Sequence, residues 1–450
     1  MRYLPLSADN RAEMLGKIGV ENINDLFSDV PPHALLKGLI DLPLHMTEME
    51  VEDNFSAFAA KNVAAGSVPF FVGAGAYRHH VPSSVDYQIQ RGEFLTAYTP
   101  YQPEISQGTL QTLYEFQTQV AQITGMDVAN ASMYDGSTGC GEAALMARRV
   151  TKKKRVVVSG NLHPHYIDVV NSATKFNDVN VMVSDTTVNK SENLLDQVDD
   201  DTSCVIVQNP DFFGNINDYT ELADALHERK VLLVIVTTEI VALGAIKSPG
   251  AMGADIVVGE GQSIGNGLNY GGPYVGLFAT KQKYVRQMPG RLCGETVDAD
   301  GTRGYVLTLS TREQHIRREK ATSNICTNAG LCTLAFTIHM TLLGEKGYRQ
   351  LANINHAGAV KLKNKLMNVE GLDFLNGTFF NEFTVRLNKD AAEVVEALVE
   401  HDVIAGVPVS RLYPDNPDLK NHLIIAVTET TSEEDMDILV SELKEVLNAE

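Results

Sequence analysis

Between about residues 125 and 280, short apolar runs alternate with helical patterns. The runs are VANASMY (128–134), RVVVSG (155–160), VNVMVS (179–184), CVIVQNP (204–210), VLLVIV (231–236), ADIVVG (254–259) and YVGLFA (274–279). They are rich in Val and Ile, and most do not alternate with polar residues, the pattern of strands buried on both faces. Amphipathic stretches such as ELADALHERK (221–230) lie between them. Repeated strand, helix, strand predicts an α/β architecture, with a seven-stranded, mostly parallel sheet covered by helices on both sides.

The flanks read differently. Residues 1–65 predict a helical arm, with helices over Arg11–Ile18 and Ala57–Ala64 separated by VPPHALL. After about residue 330, FTVRL (383–387) alternates like a half-exposed strand, AAEVVEALVEHD (391–402) like an amphipathic helix, and HLIIAVTE (422–429) like another strand. A last helix starts at Ser432, with Asp435 at the capping-box spacing. The expected division is an arm (1–65), a large α/β domain (66–330) and a smaller C-terminal α+β domain (331–450).

Composition narrows the partners. The chain of 450 residues carries 37 Lys and Arg against 57 Asp and Glu, a net charge of -20. A nucleic acid or an anionic membrane surface would need a basic face, so neither is expected. No apolar run approaches the roughly 20 residues of a spanning helix. The opening MRYLPLSADNRAEML lacks the apolar core of a secretory leader and is too acidic for a transit peptide. The five cysteines are scattered, with no CxxC pair, so the expectation is a reduced, cytoplasmic protein without a disulfide framework or structural zinc.

Ligands of open α/β sheets bind beyond the carboxyl ends of the strands, so the strand-to-helix turns are the candidate sites. Asp135-Gly136-Ser137-Thr138-Gly139 offers glycines, hydroxyls and a helix start, which suits a phosphate or is an ordinary helix cap. His163 and His165 follow the second strand; they suit a stacked planar ring, a metal lacking its third ligand, or no ligand at all. His79–His80 reads as surface. Asn209, before Pro210, could bond a ligand or simply mark a turn. Residues 259–276 hold seven glycines but neither a Walker loop nor a GxGxxG helix start. The polar, Tyr-rich stretch from Tyr98 to Gln107 suits a binding surface.

Several segments are more specific than the fold. TAYTPYQPEISQGTLQTLYEFQTQVAQITGMDVANASMYDGST (96–138), GADIVVGEGQSIG (253–265) with GGPYVG (271–276), and TREQHIRREKATSNICTN (311–328) resemble the P-protein family of the glycine cleavage system (glycine dehydrogenase, decarboxylating). The resemblance spans nearly the whole chain. It implies the aspartate aminotransferase-like fold, fold type I of pyridoxal phosphate enzymes. Family members are one long chain of two halves or two subunits, and this length matches one half, resembling the N-terminal half, subunit 1. The implied family reaction is decarboxylation of glycine on pyridoxal phosphate, with the aminomethyl group passed to the lipoyl arm of H-protein.

The chain departs from the catalytic pattern. Where the family's Schiff-base lysine follows a His, this sequence reads Gly261-Gln262-Ser263-Ile264, and no lysine lies between Lys247 and Lys281. Near the end of VLLVIVTTE, Val236, Thr237 and Thr238 stand where an acidic partner for the pyridine nitrogen is expected, and Glu239 is out of register. A serine forms no imine. The resemblance therefore implies no catalytic residue and no covalent cofactor on this chain, and a vestigial pocket of Ser137, Thr138, His163, Asn209 and Ser263. Pyridoxal phosphate is expected on a lysine-bearing subunit 2, in an α2β2 assembly served by H-protein. Tyr98, Thr99, Tyr101, Gln102, Glu104 and Gln107, with Arg318, Lys320 and Asn324, are the expected surfaces toward that partner or its active site. Arg317, Arg318 and Lys320 suit an anionic group. The alternatives are a self-sufficient pyridoxal enzyme using another lysine, or a scaffold that only docks the carrier.

Overall fold

The structure is a computed structural model that describes residues 6–36, 38, 40–188 and 192–449. The chain divides into two compact units, Met1–Val63 and Ala64–Glu450. In the first unit, helix α1 (Ala8–Ile18) starts at a Ser7–Asn10 capping box and ends at Gly19, whose φ of 89° closes the last turn. Helix α2 runs over Glu48–Ala59, not Ala57–Ala64 as the periodicity suggests. Its start is set by the Thr47–Glu50 capping box, and its end by the Asn62 amide, which donates to the Phe58 and Ala59 carbonyls.

In the second unit, short helices α3 (Ser83–Ile89) and α4 (Gly92–Leu95) precede the long α5 (Gln107–Thr124). The large sheet has seven strands: β1 (Val128–Ala129), β2 (Arg155–Val158), β3 (Asn180–Val183), β4 (Thr202–Gln208), β5 (Leu232–Thr237), β6 (Ile256–Glu260) and β7 (Gly276–Thr280). Their order is β1-β7-β6-β5-β4-β2-β3, and only the pairings of β7 are antiparallel. Helices α6 (Gly136–Thr151), α7 (Pro164–Thr174) and α8 (Thr220–Glu228) connect them.

The pleat explains why the central strands read as unbroken apolar runs. Val205, Val207, Leu233, Ile235 and Val257 point into one core with Phe116 and Val120 of α5. Cys204, Ile206, Val234, Val236 and Val258 point into the other, against Cys140, Ala143 and Ala147 of α6. Adjacent residues face opposite sides, and both sides are covered. β3 departs from this expectation: it is the edge strand, and its residues are partly or fully exposed. VANASMY is also shorter as a strand than its composition suggests. The ladder stops after Ala129, because Ser132 takes a φ of 100° and the Asn130 side chain accepts from its N–H. Ser132 Oγ in turn accepts from the Ala329 N–H.

A hairpin of β8 (Leu292–Val297) and β9 (Arg303–Thr308) lies against α5, and α9 (Gln314–Arg317) follows it. Helix α10 (Gly330–Leu366) is interrupted at Gly344, whose φ of 57° and ψ of -176° are not helical. The smaller antiparallel sheet has the order β10-β11-β13-β12, from β10 (Leu372–Phe374), β11 (Glu382–Leu387), β12 (Val407–Pro408) and β13 (His422–Ala426). Helices α11 (Ala391–Val399) and α12 (Glu433–Asn448) cover it, and α12 starts at the Ser432–Asp435 capping box. β11 is not half-exposed: only Arg386 faces outward, since one face packs on α11 and α12 and the other meets the Phe213 loop through Thr384. The segment at Pro69 and Phe71 also bonds to this region, at Ile404 and Ala426.

Candidate functional site

Beyond the carboxyl ends of the strands lies a cavity of about 550 Å³, lined among others by Asp135, Ser137, His163, Tyr166, Glu260 and Tyr274. The start of α6 forms one wall. Thr138 N–H and Oγ1 donate to the Asp135 carboxylate at 2.8 and 2.9 Å, and Ser137 Oγ donates to it at 2.5 Å. Gly136 N–H donates to Glu260 Oε2 at 2.9 Å, while Glu260 Oε1 accepts from the Gln262 and Val275 N–H groups at 3.1 Å each. A side chain at Gly136 would run into the Tyr166 hydroxyl and the Gly259 backbone, so the helix start is pressed onto the end of β6.

The anion cradle is therefore filled from within by two carboxyl groups. Burial pushes the Glu260 carboxyl up to about 8, against the lowering effect of its backbone N–H donors. A phosphate set about 5 Å from Asp135 would meet repulsion on the order of 3 kcal/mol per charge pair at an effective dielectric near 20.

The remaining pocket residues divide in two. His163 lines the cavity and caps α7. Its Nε2 lies 2.9 Å from the Ala74 carbonyl, and its Nδ1 accepts from the His165 N–H at 3.2 Å, so both ring nitrogens are engaged. Burial holds its pKa down to about 4, which keeps the ring neutral. Asn209 and Ser263 do not line the cavity. Asn209 is buried, and its side-chain Oδ1 accepts from the Asn217 N–H at 3.0 Å. Ser263 is 1% exposed, and its hydroxyl has no partner among the described residues. Among the described residues no group of three His, Cys, Asp or Glu is placed to hold a metal.

The residues present do not fit covalently held pyridoxal phosphate. Lys247 Nζ donates to Thr220 and Asp218, and Lys281 Nζ is bound to Asp255 and Gly253, so both flanking lysines are spent elsewhere. Glu239 is spent too. Its Oε1 accepts from the Val241 N–H at 2.9 Å, and its Oε2 pairs with His79 at 3.0 Å.

His79 corrects the surface reading. It is buried between Glu239 and Glu429, with Nδ1 2.8 Å from Glu429 Oε2, while only His80 is exposed. Burial alone would lower its pKa; the charges and hydrogen bonds of the two carboxylates overcome this and raise it to about 10. A third buried acid, Glu382, accepts from Tyr77 OH at 3.0 Å and from Ala74 N–H at 2.5 Å, and burial pushes it up to about 8. Sequence reading passed over Glu260 and Glu382 and assigned His79 to the surface. The available signal for Glu260 was an acid ending a fully apolar strand.

The two segments expected to face a partner come together. Buried Arg291 donates to Thr99 Oγ1 at 3.3 Å and pairs with Glu313 at 3.5 Å, joining the 96–107 stretch to the 311–328 stretch. Tyr98 and Tyr101 are 74% and 72% exposed, and Gln102, Glu104, Arg317, Arg318, Lys320 and Asn324 are also exposed. Gln107 is not a free surface group. Its amide donates to the Tyr305 carbonyl at 2.9 Å and accepts from the Tyr305 N–H at 2.8 Å, clamping α5 to β9.

The fold is that of pyridoxal phosphate enzymes of fold type I. It is shared at 13% identity with a Lactobacillus brevis glutamate decarboxylase, with a TM-score of 0.67 over 94% of this chain and 98% of that one. Residues 1–443 match the family described as glycine cleavage system P-protein, and the chain belongs to that family. It is 63% identical to a Parvibaculum lavamentivorans protein named probable glycine dehydrogenase (decarboxylating) subunit 1, over 99% of this chain and 100% of that one. A Rhodospirillum centenum protein of the same name is 62% identical over the same shares. A crystal structure of glycine decarboxylase (P-protein) of the glycine cleavage system, in inhibitor-bound form, matches with a TM-score of 0.90 at 41% identity, over 99% of this chain and 100% of that one.

Proposed function

We propose that this chain is subunit 1 of a split glycine dehydrogenase (decarboxylating) in the glycine cleavage system, and that it is the non-catalytic member. The observation that carries the reading is the filled cradle: Asp135 and Glu260 occupy the start of α6, and Ser263 stands buried where a lysine would be needed. Pyridoxal phosphate then belongs to subunit 2, the lysine-bearing partner, where the cofactor supplies the electron sink for glycine decarboxylation. The aminomethyl group passes to the lipoyl arm of H-protein. This chain's part is to shape the partner's site through the joined surface of Tyr98, Thr99, Tyr101, Gln102 and Glu104 with Arg318, Lys320 and Asn324, in an α2β2 assembly. Ser137, Thr138, His163, Asn209 and Ser263 are the remnant of a cofactor site, and the domain division is 1–65, 66–330 and 331–450.

No helix among the described residues is long and apolar enough to cross a membrane. The setting we propose is the cytoplasm. The ion-paired state of Lys247 and Lys281 counts against a self-sufficient pyridoxal enzyme. The test is reconstitution: glycine-dependent CO₂ release with lipoylated H-protein, from each subunit alone and from the two mixed. The reading expects release from the mixture only. Full release from this chain alone, with pyridoxal phosphate added, would overturn it.

A further inference from the structure

The cavity at the start of α6 has a wall whose chemistry is opposite to what a phosphate needs. It lies wholly in the second unit, and among the described residues no Lys or Arg lines it. Its acidic wall is the Asp135 carboxylate with the buried Glu260 carboxyl. Two phenols complete that wall. Tyr166 of α7 is 8% exposed, and its hydroxyl makes no hydrogen bond among the described residues. The hydroxyl lies against Gly136, in the field of both Glu260 and Asp135. Tyr274, just before β7, has a hydroxyl in the field of Glu260, likewise without a hydrogen bond among the described residues. A buried hydroxyl without a partner costs stability, and folded proteins retain few of them. Here two such hydroxyls and two carboxyl groups meet at one cavity.

The wall selects the ligand. Each carboxyl group keeps an oxygen with room for another donor: Asp135 Oδ2 accepts only from Thr138 Oγ1, and Glu260 Oε2 only from the Gly136 N–H. The rings of Tyr134, His163, Tyr166 and Tyr274 line the same cavity, and aromatic faces attract cations. A volume of about 550 Å³ is that of a small-molecule pocket rather than of an ion site. Among the described residues no set of three ligands is placed for a metal. An amino acid would bring a carboxylate that the two acids repel. We propose that this cavity binds a small primary ammonium ion that carries no carboxylate, held by Asp135 and Glu260 and by the hydroxyl oxygens of Tyr166 and Tyr274. The inference rests on the filled-cradle reading above, because a free cradle would take an anion.

The test is titration calorimetry of the full chain with butylammonium, with butanoate as the anion of similar shape, and with inorganic phosphate. Two variants accompany it. Tyr166→Phe removes only a hydroxyl that has no partner, so its melting is expected to match wild type. Asp135→Asn removes the charge but keeps a residue that caps a helix. The proposal expects saturable binding of butylammonium and none of butanoate or phosphate. It expects binding about tenfold weaker in Tyr166→Phe and at least tenfold weaker in Asp135→Asn, the loss of one hydrogen bond to a charged group. No binding of butylammonium to wild type up to about 10 mM overturns the inference. So does equal affinity in wild type and both variants, which puts the ion elsewhere. Either result leaves the filled-cradle reading standing. Saturable phosphate binding overturns the inference and that reading together.

Discussion

Replacing His79 by Gln tests the buried charge network most sharply. The wild-type imidazole lies between Glu239 Oε2 at 3.0 Å and Glu429 Oε2 at 2.8 Å, in a site where the His79 side chain is 2% exposed. Gln keeps a similar size but brings no charge, so two carboxylates then face one uncharged amide. Removing one partner of a buried ion pair costs about 3–5 kcal/mol. The pH dependence follows from the shifts. His79 titrates near 10 when folded and near 6.5 when unfolded, so its stabilisation is full below 6.5 and is lost as pH rises through 10. Glu429 is pulled down to about 2, chiefly by His79 against its burial, so its share is present above 4.5 and is lost as pH falls through 2. The stability difference between wild type and His79→Gln is therefore largest between about pH 4.5 and 6.5 and shrinks toward pH 10. Denaturant midpoints of both proteins at pH 5.5, 8 and 9.5 measure it. A difference under about 1 kcal/mol at pH 5.5, or one constant from pH 5.5 to 9.5, would refute the reasoning.

Three further outcomes are expected. Ser263→Lys places an amine at the buried position without emptying the cradle, so no stoichiometric reducible adduct with pyridoxal phosphate forms at residue 263, as read by peptide mass spectrometry. Tyr98→Ala/Tyr101→Ala leaves the denaturation midpoint of the isolated chain within about 0.5 kcal/mol of wild type, because both rings are exposed, yet lowers the activity of the reconstituted complex. Phe336→Ala removes a buried ring packed edge-to-face on Phe116 at 5.3 Å and costs about 3–5 kcal/mol in denaturant unfolding.

The strands at 204–208, 232–237 and 256–260 were legible because a core on each face leaves no polar position to interrupt the run. The Ser432–Asp435 cap was legible because its chemistry is local. The early end of β1 was not: the turn at Ser132 depends on Asn130, Gly276 and Ala329, which meet only in the fold. The same reason hid His79, whose two carboxylate partners lie 160 and 350 residues away. The filled cradle was half visible. Asp135 stands beside the helix start in the sequence, but Glu260 comes from the end of β6, 124 residues after Gly136. A turn read as suited to phosphate thus has its Gly136 and Thr138 amides already taken.

The central claim is that this chain does not hold the cofactor and its partner does. The direct measurement is to mix the two subunits with pyridoxal phosphate, reduce with borohydride and map modified lysines on both chains by peptide mass spectrometry. The account predicts one stoichiometric adduct on subunit 2 and none on this chain. A stoichiometric adduct at a single lysine here would contradict it.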